Sequence, residues 1–220
     1  MARTTVALIL ALACALCARA ADQDLSVNAL LLVAARNGDA AALDRALASG
    51  ASPNARSRIG ETALVIALKK GDGAMARRML EAGTDVNLAA VNGVTPLMAA
   101  AFTGQAQVAV LLLERGADPK AVDRLEKNAM TYAAGTGNTE VVKALLARGV
   151  DPNALYHNDL TALMWAAGFG KTDTVRALLD AGARADLRDN RGKTAADMAR
   201  EGNYGETVRV LESAPAPRGG

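Results

Sequence analysis

The sequence predicts an all-α solenoid of short helix–turn–helix units, and three observations carry that prediction. Residues recur at a fixed interval of 33: Thr62, Thr95, Asn128, Thr161 and Thr194 form one comb, and Gly50, Gly83, Gly116, Gly149 and Gly182 another. Two more combs keep the same register, Leu31, Leu64, Leu97, Met130 and Leu163, and Gly71, Gly104, Gly137 and Gly170 with Asn203 closing the series. Several combs in one register are the mark of stacked repeats. Aromatic residues are scarce, with two Phe, three Tyr and one Trp. The core must then come from Ala, Leu, Val and Met, which suits closely packed helices better than a large sheet.

The first twenty residues stand outside this pattern. Arg3 precedes an unbroken apolar run from Val6 to Leu16, and Ala18-Arg19-Ala20 offers small residues where a signal peptidase reads. The run falls short of the roughly 20 apolar residues that a membrane-spanning helix needs. A secretory signal peptide over 1–20 is expected, with the mature chain starting at Ala21 and residing in a bacterial periplasm or outside the cell. A lipoprotein is the rival, but "ALA" before Cys14 and "CAL" before Cys17 fit a lipid-attachment site poorly.

Loss of the leader changes what the composition means. Both cysteines, Cys14 and Cys17, leave with it, so the exported chain has no disulfide and no thiol chemistry. Arg3 and Arg19 also leave, so Lys+Arg falls from 25 to 23 and equals Asp+Glu at 23. A near-neutral chain carries no electrostatic footprint for nucleic acid. No second apolar run of spanning length follows, so no membrane contact is expected after cleavage.

The units then follow in order. A degenerate one spans 25–57, four complete ones span 58–90, 91–123, 124–156 and 157–189, and a shortened cap spans 190–213. The Pro- and Gly-rich end, 214–220, is expected to be disordered. The unit 91–123 shows the physical logic. Thr95 suits an N-cap, and Pro96 sits at the first helical position, where its missing N–H costs nothing. Ala99, Ala100 and Ala101 allow a neighbouring helix to come close, and Gly104 ends the helix. A second helix follows with Val108, Leu111 and Leu112 on a buried side, until Gly116 stops it. "ADPKAVDRLEK" is the extended link to the next unit.

This unit resembles the ankyrin repeat, through "G-x-T-P-L" at 93–97, the central Gly, and endings such as Ala117-Asp118, Asp85-Val86-Asn87 and Asp151-Pro152-Asn153. The resemblance runs from about Leu25 to Leu211 and implies an all-α solenoid whose units are joined by β-hairpin-like loops. It departs from the family in one respect. The His usual three residues after each Thr is replaced by Val65, Met98, Thr131, Met164 and Asp197, so less of a polar network is expected within the turns. The third complete unit is the least regular, with Glu126 and Asn128 where Gly and Thr are expected.

One stretch invites a different reading. "GFGKT" at 168–172 looks like the end of a phosphate-binding loop. Gly170 is in phase with Gly71, Gly104 and Gly137, however, and Trp165 stands where such a loop needs glycine. The stretch is a turn between helices, with Thr172 expected as the N-cap of the second.

Catalytic chemistry has few residues to draw on. His157 is the sole histidine, set in "LYHND" with no turn presenting a serine, so a hydrolase built on it is the remote alternative. A His/Cys zinc site fails on count, no cofactor is expected, and the acids of "ADLRDNRG" lack calcium-loop spacing.

The family resemblance implies instead a protein partner held in a concave groove by residues flanking each Thr and ending each first helix. The candidate partner-binding residues are Arg56, Arg58, Lys69, Lys70, Val91, Val94, Phe102, Leu125, Leu155, His157, Leu160, Phe169, Arg188, Arg191 and Lys193; Lys127 flanks its turn in the same way. The middle of the groove is apolar and both ends are basic; packing of some of these apolar residues within their own hairpins, Leu155 and Leu160 above all, is the rival reading. An anionic envelope polymer or small ligand at the basic ends is the alternative. Tyr132 and Trp165 hold equivalent positions in adjacent units and are expected to pack between them, stacked on each other. A monomer is expected, and the resemblance implies a role as helper or neutraliser of another exported protein.

Overall fold

The computed structural model describes residues 27–214. The expected leader at 1–20 lies outside the described residues, as does the tail from 215. Helix α1 is described over 27–37, followed by α2 (Ala40–Ala48), α3 (Ala63–Lys69), α4 (Gly73–Glu81), α5 (Pro96–Thr103) and α6 (Ala106–Glu114). Then come α7 (Ala129–Thr136), α8 (Thr139–Ala147), α9 (Ala162–Gly168), α10 (Thr172–Asp180), α11 (Ala195–Glu201) and α12 (Gly205–Glu212). Among the described residues there is no strand, only an isolated bridge between Arg56 and Thr62. From α3 onward each odd helix packs on the even helix after it, α3, α5, α7, α9 and α11 stack as one row, and α4 to α12 stack as a second.

The sequence explains the two rows. Alanines line the first: Ala63, Ala67, Ala99, Ala100, Ala101, Ala133, Ala134, Ala166, Ala167 and Ala199 are all buried, and their short side chains let the helices approach. The second row contributes larger groups, among them Met75, Met79, Val108, Leu112, Leu145 and Leu178. Of the expected apolar face of α6, Val108 and Leu112 are fully buried and Leu111 is half-buried. Removing a buried leucine of this kind costs about 2–5 kcal/mol.

The helix starts are capped more fully than the missing histidines implied. Thr62, Thr95, Asn128, Thr161 and Thr194 each accept an N–H three residues on. At four of these ends the replacement side chain also accepts the cap's own N–H: Met98 Sδ and Met164 Sδ at 3.5 Å, Thr131 Oγ1 at 3.0 Å and Asp197 Oδ2 at 2.9 Å. The reciprocal box is rebuilt with other acceptors, the sulfurs being weak ones. Only Val65 supplies none.

At the GFGKT stretch the expected cap is corrected. Lys171 is the N-cap of α10, without a side-chain bond, and Thr172 is its first helical residue. Thr172 Oγ1 instead meets Thr207 Oγ1 at 2.7 Å across to α12. The turn itself is a backbone turn through Gly170 at φ 64°.

Candidate functional site

Five tight hairpins stand on the side of the α3–α11 row. In each, the first residue donates its N–H to the fifth and accepts one from the fourth, at 2.8–3.0 Å, over 57–61, 90–94, 123–127, 156–160 and 189–193. Four of them are type I turns closed by a left-handed residue; in 156–160 the third residue, Asn158, is left-handed as well, at φ 61°. That fourth position is Gly60, Gly93, Glu126, Asp159 and Gly192, at φ 74°, 84°, 56°, 60° and 77°. Buried Asp123 and Asp189 brace two of the hairpins by accepting the N–H groups of the third and fifth residues at 2.8–3.0 Å.

Between hairpins two kinds of bond recur. Asn54, Asn87 and Asn153 accept the N–H of Asp85, Asp118 and Arg184 at 2.8–2.9 Å. Adjacent tips also pair through their backbones, Val91 to Ile59, Arg124 to Asn92 and Asn190 to Asn158, at 3.0–3.1 Å. The junction of the third and fourth hairpins departs from both. Lys120 stands at the asparagine position, and no backbone bond joins 157 to 125 among the described residues. In their place His157 Nδ1 meets Glu126 Oε2 at 2.6 Å, on an exposed surface.

The apolar residues expected in the groove separate into two groups. Val91, Phe102, Leu125, Leu155 and Phe169 are each more than half exposed, at 52–66%. Val94 and Leu160 are half-buried and pack against the core beneath their own hairpins. Tyr132 and Trp165 do not take each other as ring partners, contrary to expectation. Tyr132 meets Phe102 edge-on, with centroids 5.9 Å apart, and Trp165 stacks on Phe169 at 6.0 Å. The reason is Lys127, whose Nζ lies 5.8 Å from the Tyr132 centroid and 4.9 Å from that of Trp165. Four aromatic rings and a cation thus line one face across the middle units. Phe169 reaches over Gly135, where a side chain would touch both it and Trp165.

The Tyr132 hydroxyl donates to Asp123 at 2.5 Å. Burial first, then that bond and the Asp123 charge, push the phenol well above its usual range, so it remains a neutral donor. The indole Nε1 of Trp165 is buried and has no acceptor among the described residues.

The basic side chains are mostly engaged. Lys69 pairs with Glu61 at 2.7 Å, Arg191 with Asp189 at 2.7 Å, and Lys193 with Glu201 at 2.5 Å. Arg56 donates to the carbonyls of Gly60 and Ala89, Arg188 to that of Gly192, and Lys70 to that of Arg36. Arg58 has no such bond among the described residues, and His157 has Glu126. On the second row Arg78, Arg148 and Arg176 are exposed and pair with Asp44, Glu114 and Glu206 of neighbouring units. Among the described residues no three His, Cys, Asp or Glu gather as a metal site, and no helix is long and apolar enough to cross a membrane.

The ring-and-lysine array is not legible in the sequence, because its members come from 102, 127, 132, 165 and 169 and meet only through stacking. The one available signal was that Tyr132 and Trp165 are 33 apart, with Lys127 ending the hairpin just before Tyr132. A family model described as ankyrin repeats (3 copies) matches residues 31–123 and again 124–216. No curated protein matches the chain.

Proposed function

The chain belongs to the ankyrin-repeat family, and from that premise we propose that it is a non-catalytic protein-binding module acting in the bacterial envelope after export. Ankyrin repeats are in general modules of protein–protein interaction. The partner lies across the hairpin-side face, anchored by Phe102 and Phe169, and the chain serves another exported protein as helper or neutraliser. One observation supports this above others: Ile59, Val91, Phe102, Val122, Leu125, Leu155 and Phe169, in or beside the hairpins and at the ends of first helices, all stand more than half exposed. Contiguous apolar exposure of that kind marks an interaction surface, and aromatic groups are the usual anchors of one. The basic ends are the weaker choice, since six of their seven side chains already hold partners within the chain.

The test is a pull-down from native envelope extract with wild type beside the Phe102→Ala, Phe169→Ala double variant. Each truncation is expected to weaken partner binding by about 2 kcal/mol, while the melting temperature stays close to that of wild type. Identical captured proteins in the two lanes would remove the aromatic face from the interface.

A further inference from the structure

We propose that the middle of this face is built to receive a carboxylate, so that the bound partner presents an extended segment with an Asp or Glu side chain set among apolar residues. The inference rests on the protein-binding reading above and specifies the chemistry of its occupant.

The five hairpins share a register. The fifth residue of each hairpin is Glu61, Val94, Lys127, Leu160 and Lys193. Where this residue is charged at either end of the stack, it pairs with an opposite charge eight residues on: Glu61 with Lys69 at 2.7 Å, and Lys193 with Glu201 at 2.5 Å. The same geometry carries Lys127 to Gly135, which has no side chain. No carboxylate stands within ion-pair distance of its Nζ among the described residues. Asp123, the acid of its own hairpin, is taken up by the Tyr132 hydroxyl and by the N–H groups of Leu125 and Lys127. Glu126 is turned to His157. Lys127 is left between the faces of Tyr132 and Trp165, with the exposed rings of Phe102 and Phe169 on either side.

Rings alone satisfy an exposed ammonium only while water completes its shell. A partner covering Phe102 and Phe169 strips that water. A purely apolar segment would then bury an unpaired cation, which is strongly unfavourable, whereas a segment carrying a carboxylate completes it with a charge-assisted bond. The site therefore selects acid-bearing segments and rejects otherwise similar neutral ones, by leaving a charge uncompensated. An extended segment suits the array, because alternate side chains of a strand reach the same face.

The test is selection from a random decapeptide phage library against the purified wild-type protein, Lys127→Met, Lys127→Arg, and the Phe102→Ala, Phe169→Ala double variant. Wild type and Lys127→Arg are expected to enrich peptides with a central Asp or Glu flanked by apolar residues, and Lys127→Met to lose that enrichment. The selected peptide and its amide counterpart are then titrated against Trp165 fluorescence, a reporter beside the ammonium. The acid is expected to bind about tenfold tighter than the amide in low salt, with the gap narrowing as salt rises. Peptides that depend on the two phenylalanines but show no acid preference, or a preference that survives in Lys127→Met, would overturn the carboxylate site and leave the protein-binding face standing. No selected peptide at all would remove both.

Discussion

Glu126 holds a backbone conformation that Gly60, Gly93 and Gly192 hold at equivalent turns, with φ 56°. A left-handed residue with a Cβ costs about 1–2 kcal/mol, partly offset because glycine loses more freedom on folding. The contact with His157 returns little, since both side chains are more than half exposed. Glu126→Gly is therefore expected to stabilise the protein by about 0.5–1 kcal/mol, seen as a higher denaturant midpoint at unchanged slope. A lower midpoint would show that the His157 contact is worth more than its exposure suggests. At this scale part of the site is legible in the sequence. Glu126 stands out as irregular, because a comb exposes its own exceptions. Val94 and Leu160 cannot be told there from exposed neighbours, because period alone does not tell which residue of a tight turn points inward. The Lys127 array stayed out of view because it depends on an absent side chain at Gly135.

Among the elements, α11 and its hairpin hold the densest set of charge-assisted caps. Burial alone would push the Asp189 carboxyl up. The Lys193 N–H, the Arg191 guanidinium and the Arg191 N–H together outweigh it and hold the group below the usual carboxylate range. Asp197 is held low chiefly by the Thr194 N–H and hydroxyl, with the charges of Arg200 and Arg188 assisting against burial. A carboxyl lowered on folding contributes stability that is present above the unfolded value of about 3.9, and is lost as the pH falls through the folded one. The C-terminal unit is therefore expected to lose amide-exchange protection first on acidification below about pH 4. Asp189→Asn and Asp197→Asn should lower protection at neutral pH and flatten its fall in acid. Uniform loss across all units would instead place the acid-sensitive groups elsewhere. Helix positions were legible here because Thr, Pro and Gly act locally. The caps of α8, α10 and α12 were not, since Asn138, Lys171 and Tyr204 make no side-chain cap bond.

The whole molecule is a linear stack, and such a stack is as stable as its units and the interfaces between neighbours. The sequence made the stack legible because each comb repeats a local requirement. It left the inequality of the junctions obscure, because the asparagine ties matter only through the hairpin they reach. Asn87 accepts from Asp118 and donates to Gly116 at 2.9 Å, and Asn153 repeats this on Arg184 and Gly182 at 2.8 and 3.1 Å. By the same offsets an asparagine at 120 would reach the Asp151 N–H and the Gly149 carbonyl, but Lys120 stands there, exposed. The tip-to-tip backbone bond is missing at that same junction. Two deficits at one place make the contact between the third and fourth hairpins the weak coupling of the solenoid, directly beneath the Lys127 array. Lys120→Asn restores one tie and is expected to add about 1 kcal/mol, raising the melting temperature by about 2–4 °C for a chain of this size. Hairpin amides over 150–160 should exchange fastest of the inner hairpins in wild type and gain protection in the variant. If they are already as protected as those over 84–94, the side-chain bridge from Glu126 to His157 carries the coupling, and the variant should leave the melting temperature unchanged.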